Sequence, residues 1–135
     1  MTDHASSSVN FINPPELAKA PGYSHVAEIR GGRIIYIAGQ VALDAQGKVV
    51  GKGDFEAQAD QVFRNLGAAL ACVGCTSRNV VKFTVFLRDV GRLASYRKAR
   101  DRFIGDATPP ASTLIEVSRL AADDFLIEVE AVAAA

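Results

Sequence analysis

The sequence predicts an α+β fold, a mixed β-sheet with two helices packed on one of its faces. Three observations predict it. Runs rich in β-branched residues alternate apolar and polar side chains with a period of two. Two other segments repeat apolar residues every three or four positions. Glycine, proline or aspartate punctuates the junctions between them. The order reads β-β-α-β-α-β-β, and each β-α-β passage makes its flanking strands parallel through a right-handed crossover.

Each element has a local cause. Ser24–Arg30 and Arg33–Ala38 read as strands joined by Gly31-Gly32, a two-residue hairpin signal. Asp44–Lys48 reads as a turn. Asp54 is a good N-cap for a helix that places Phe55, Ala59, Val62, Leu66, Ala69 and Val73 on one face and stops at Gly74. Val80–Arg88 sets Val81, Phe83, Val85 and Leu87 against Lys82, Thr84 and Arg88, a strand with one buried face. Leu93, Tyr96, Ala99 and Phe103 mark a second helix ending near Gly105, and Pro109-Pro110 introduces a strand over Ser112–Val117. In the last strand Phe125, Ile127, Val129 and Ala131 form a core stripe. Its other side reads Leu126, Glu128, Glu130 and Val132. Carboxylates in such an apolar setting are costly without a partner or a task. The sheet face away from the helices carries Leu114, Leu126 and Val132, and an uncovered half-apolar face is an association surface. A homo-oligomer with Glu128 near the subunit boundary is expected.

Composition narrows the function classes. The 135 residues make one domain, read as 14–135 behind a flexible tail over 1–13, and 49% hydrophobic content excludes a disordered chain. Fifteen basic and fifteen acidic residues cancel, so no global field recruits nucleic acid or an anionic membrane. No apolar run is long enough to span a bilayer, and the start of the chain lacks the features of a signal peptide. A cytoplasmic protein is expected. Cys72 and Cys75 fall at a helix C-terminus, where the dipole opposes a thiolate. Neither they nor His4 and His25 have the companions a metal needs. His25 reads as a residue that ends a strand.

With the elements placed, the chain resembles the Rid family, the YjgF-like reactive intermediate deaminases also called endoribonuclease L-PSP. The matching segments are Gly22-Tyr23-Ser24-His25, Ile37-Ala38-Gly39-Gln40, Val80 through Asp89, Pro110-Ala111, Ile115-Glu116-Val117 and Ile127 through Val132. They run in family order from about Pro14 onward. The resemblance implies a chorismate-mutase-like fold, a homotrimer, ligand clefts between subunits, and hydrolysis of enamines or imines to a keto compound and ammonia without metal or organic cofactor. Glu128 matches the family's water-orienting glutamate. Tyr23 resembles the tyrosine that lines the cleft from a neighbouring subunit, and Leu114 matches the position whose amide contacts the ligand.

One departure stands out. The deaminase branch carries Pro-x-Arg, whose guanidinium grips the substrate carboxylate bidentately. This chain reads Pro110-Ala111-Ser112, and Ala38 replaces a small hydroxyl residue before Gly39. Classical 2-imino-acid hydrolysis is therefore expected to be weak. The second helix carries Arg92, Arg97, Lys98, Arg100 and Arg102, read as a solvated basic face. Arg97 falls where the family often has a polar cleft residue and is a candidate ligand contact.

The leading reading is a small hydrolase of Rid type with altered substrate choice. Glu128 would position water, while Ser112 and the Leu114 amide polarise the substrate. Strand alternation is expected to let Ser112 and Glu128 face one cavity. The alternative is a non-catalytic trimer that binds a metabolite in the same clefts. Ribonuclease action ranks last, because the chain has neither an aromatic stacking platform nor a histidine pair.

Overall fold

The computed structural model of the protein describes residues 6–135. Strands β1 (Ser8–Ile12), β2 (Val26–Arg30) and β3 (Ile34–Gln40) precede helix α1 (Phe55–Ala71). Strand β4 (Val80–Leu87), helix α2 (Leu93–Ile104) and strands β5 (Ala111–Glu116) and β6 (Ile127–Ala134) follow. The main sheet has the order β3-β6-β4-β5, with β4 and β5 parallel and β6 antiparallel to both β3 and β4. This is the predicted mixed sheet, and both helices lie on its Phe83 face.

The helices form where the pattern placed them. The Asp54 carboxylate caps α1 by accepting the Ala57 N–H at 3.1 Å. Val62, Leu66 and Leu70 are wholly buried against the sheet. Phe63 packs edge-on against Phe83 of β4 (6.0 Å between centroids) and lies 5.0 Å from Phe103 of α2. Such pairs add about 0.5–1.5 kcal/mol each beyond their buried area. Phe83, Val85, Ile127 and Val129 complete the core beneath them.

Two expectations are corrected. The segment over 1–13 is not a tail throughout. Ser8–Ile12 pairs antiparallel with Val26–Arg30, putting Val9 and Phe11 half-buried opposite Ile29 and Ala27. Met1–Ala5, with His4, lie outside the described residues. In addition, Gly31-Gly32 does turn, with φ of 68° and 72°, but the strands it joins enter different sheets. The cause is competition for edges, since β1 takes β2 while Ala135 exchanges two backbone hydrogen bonds with Arg33 at the start of β3. At Gly32 these backbones converge, and a Cβ there would meet the Cα of Ser7 at 2.8 Å.

The open face of the sheet is half apolar, as expected, though its members differ. Tyr36 is 82% exposed, Ile34 46% and Ile115 44%, next to half-buried Phe86 and Val132. Leu126, which precedes β6 and packs against the buried core, is not among them, nor is Leu114. Leu114 pairs with Val85 in the parallel ladder and therefore points to the helix side. The strand's parity was readable, but its phase relative to β6 depends on the β4–β5 register.

Candidate functional site

Two chemically distinct regions emerge, one on each face of the sheet. The first is a cleft of about 260 Å³ between α2, β5 and the loop before β2. Ser24 builds it. Its hydroxyl donates to the Pro109 carbonyl at 2.6 Å and its N–H to the Pro110 carbonyl at 3.0 Å, clamping the loop to the start of β5. Tyr23 is thereby held beside Ser112, Leu114 and Arg97. Within one chain Tyr23 thus borders this cleft, because Ser24 locks its loop to β5. His25 supports this loop. Its Nε2 donates to the Ala18 carbonyl at 2.6 Å and its ring meets Tyr23 edge-on at 5.4 Å.

Ser112 pairs with Phe83 and so faces α2. Arg97 is exposed at the rim, in keeping with a basic helix face. Arg100 breaks that reading, for it is only 7% exposed and lines the cleft floor. Arg100 sits one helical turn beyond Tyr96, on the face that meets β5 and the loop. Its guanidinium carbon lies 5.9 Å from the centre of the Tyr96 ring. The Tyr96 hydroxyl is buried close to Ser112 and makes no well-formed hydrogen bond among the described residues. Burial pushes its pKa far above the usual phenol value, against the pull of Arg100, so it is a neutral donor at physiological pH.

Glu128 lies on the other face. It pairs with Phe86 in the centre of the sheet, in a row that continues to Ile115 on β5. Room for its carboxylate comes from Gly39 on β3, where a Cβ would stand 2.9 Å from Cδ and 3.0 Å from Cγ of Glu128. The β3–β6 ladder shifts register between Ile37 and Gln40, next to this gap. Burial raises the Glu128 pKa, and the Glu130 charge raises it further. Gly39→Ala is expected to leave the fold intact while swinging the carboxylate away, which a crystal structure of the variant would display directly.

Within one chain Ser112 and Glu128 do not share a face of the sheet. In-register pairing sends Ser112 to the Phe83 side and Glu128 to the Phe86 side. One chain brings Tyr23, Ser112, Leu114 and Arg97 together and leaves Glu128 apart. Sequence reasoning passed over Arg100, Tyr96 and the packing role of Gly39. Arg100 carried one available signal, its four-residue spacing from the core-facing Tyr96.

The geometry can be set beside known proteins. Residues 15–135 match the family model described as endoribonuclease L-PSP. A RutC family protein of Synechocystis is 41% identical over 117 residues, spanning 86% of this chain and 89% of that protein. The human 2-iminobutanoate/2-iminopropanoate deaminase is 33% identical over 120 residues, spanning 86% and 85% respectively. Among solved structures, the Rid-family protein YyfB of Yersinia pestis, of unknown function, is similar with a TM-score of 0.87 at 36% identity. That match covers 94% of this chain and 98% of the other. Among the described residues no helix is long and apolar enough to cross a membrane.

Proposed function

The chain belongs to the endoribonuclease L-PSP family, the Rid proteins, and from that premise we propose that it hydrolyses small enamine or imine metabolites. The reaction takes place in clefts completed between subunits of a homotrimer. The observation that carries this reading is Glu128, a half-buried carboxylate of raised pKa beside a gap that the missing side chain of Gly39 leaves open. A raised pKa suits a group that must first take a proton and then return it. Glu128 accepts a proton as water attacks the imine carbon, forming the carbon–oxygen bond and breaking the carbon–nitrogen π bond. That proton passes to nitrogen to give the carbinolamine; Glu128 then takes the hydroxyl proton and hands it to nitrogen as the carbon–nitrogen bond breaks, so ammonia leaves and the carbonyl forms.

The opposite placement of the two regions supports a shared site. Packing the open face of one copy beside the Ser112 cleft of another would bring Glu128 to the ligand. The apolar Tyr36, Val132 and Ile115 supply a surface for that contact. No metal or organic cofactor is needed for this chemistry, and a small-molecule ligand is the only partner it requires besides further copies of the chain.

Glu128→Gln is expected to reduce ammonia release from enzymatically generated imines by about 100-fold or more, the usual scale of general acid–base catalysis. Wild-type activity should fall on the acid side at a pH above that of an ordinary carboxylate. The sign for stability follows from the same shift. A raised carboxyl pKa means the ionised form is disfavoured in the folded state, so Glu128→Gln should gain stability at neutral pH. That gain shrinks as pH falls through the folded-state pKa. Unchanged turnover in Glu128→Gln would remove Glu128 from the mechanism and leave a metabolite-binding trimer as the better reading.

A further inference from the structure

We propose that Arg100 is the carboxylate anchor of the Ser112 cleft, so that the guanidinium is supplied by helix α2 while the neighbouring strand offers only a hydroxyl. This inference rests on the reading of the cleft as half of a hydrolase site and names the charge of its substrate class: small carboxylates, as in 2-imino acids.

Four features carry it. Arg100 is a buried cation, and burying a charge is costly unless it is paired or has a ligand. Its partner within the chain is incomplete. Nε donates to Oδ1 of solvent-exposed Asp101 at 3.0 Å, and Nη2 lies 2.9 Å from the same oxygen as an ion pair. Nη1 has no hydrogen-bond partner among the described residues. An arginine presents five donors in a planar fork, so this one keeps capacity for an anion.

The second feature is the Tyr96 hydroxyl, buried in the same cleft close to Ser112 but with no well-formed hydrogen bond among the described residues. Such an orphan donor is destabilising until something accepts from it. A carboxylate has several acceptor positions, enough for Nη1, the Tyr96 phenol and the Ser112 hydroxyl at once. The third is Gly22, where φ is +78° and a Cβ would lie 3.1 Å from the Arg100 Cζ. The absent side chain lets the guanidinium settle against the loop, which fixes its direction. The fourth is Ser112 itself. A long cation at this place on β5 would compete with Arg100 for the same space, whereas serine leaves the gap open and adds a donor.

The test compares 2-oxobutanoate with butanone, which shares its carbon skeleton but lacks the carboxylate, by titration calorimetry on the assembled wild-type protein. Wild type should bind 2-oxobutanoate and discriminate against butanone. Arg100→Gln should weaken 2-oxobutanoate binding by about tenfold to hundredfold, the loss expected for a charge-assisted hydrogen bond. Butanone binding should not change. Arg100→Lys, which keeps charge and aliphatic stem, should lie between them, and it serves if the glutamine variant fails to fold. Ser112→Arg in the Arg100→Gln background should restore binding by returning a guanidinium to the cleft. Arg102→Gln, on a side chain paired with Asp60 away from the cleft, is the control.

Equal 2-oxobutanoate binding by wild type, Arg100→Gln and Arg100→Lys would overturn the proposal, and loss confined to Arg97→Gln would overturn it in favour of the rim arginine. Failure of the hydrolase reading looks different. A wild type that binds 2-oxobutanoate in an Arg100-dependent way but turns over no imine keeps the anchor and sinks the reaction. Imino-acid hydrolysis that persists in Arg100→Gln does the reverse.

Discussion

Tyr36→Asp combined with Ile115→Asp is expected to give a folded monomer with no hydrolase activity. Both side chains are largely exposed on the open face of one chain, so neither supports the fold of that chain. In an assembly that covers this face each new carboxylate would be buried without a partner, at an effective penalty of several kcal/mol per charge. Light scattering should report the mass of one chain, and circular dichroism should match wild type. On the proposed reading activity should vanish, because Glu128 and the Ser112 cleft lie on opposite sides of one sheet and would have to meet across copies. A monomer that retains turnover would show that one chain carries the whole site.

The second large effect belongs to Gln58, a residue whose polarity looks unremarkable in the amphipathic pattern of α1. Its side chain is wholly buried. It donates to the carbonyls of Gly51 at 3.1 Å and Asp124 at 2.8 Å, and it accepts from the Leu126 N–H at 2.9 Å. The amide thus ties the loop before α1 to the entry of β6, two residues ahead of Glu128. Gln58→Ala breaks three hydrogen bonds and strands buried backbone groups. A loss of roughly 3 kcal/mol or more follows, with net contributions of about 1 kcal/mol per bond before the desolvation penalty. Chemical denaturation should show the shift in midpoint. Gln58→Glu, which keeps only the acceptor, should recover little of it.

The sequence alone determined the α+β class, both helices, the buried faces of β4 and β6, and membership of the Rid family. The fold features rest on local periodicity, and the family membership on the matching segments. Val81, Phe83, Val85 and Leu87 alternate regardless of what they meet, and Asp54 and Gly74 stop a helix by their own backbone and side-chain chemistry. The isolation of Glu128 among aliphatics and the serine at position 112 were equally legible, because each is a property of a single position. What only the tertiary structure decided is how strands are paired and phased. The pairing of β1 with β2, the separation of β2 from β3, and the turning of Leu114 and Ser112 toward α2 all depend on long-range register. A shift of one residue there reverses every side chain on the strand. Arg100 belongs to the same class. Its charge marked it as a surface residue, yet the loop held by Ser24 and the bare backbone of Gly22 close over it, and burial is conferred by those distant partners rather than by anything within α2.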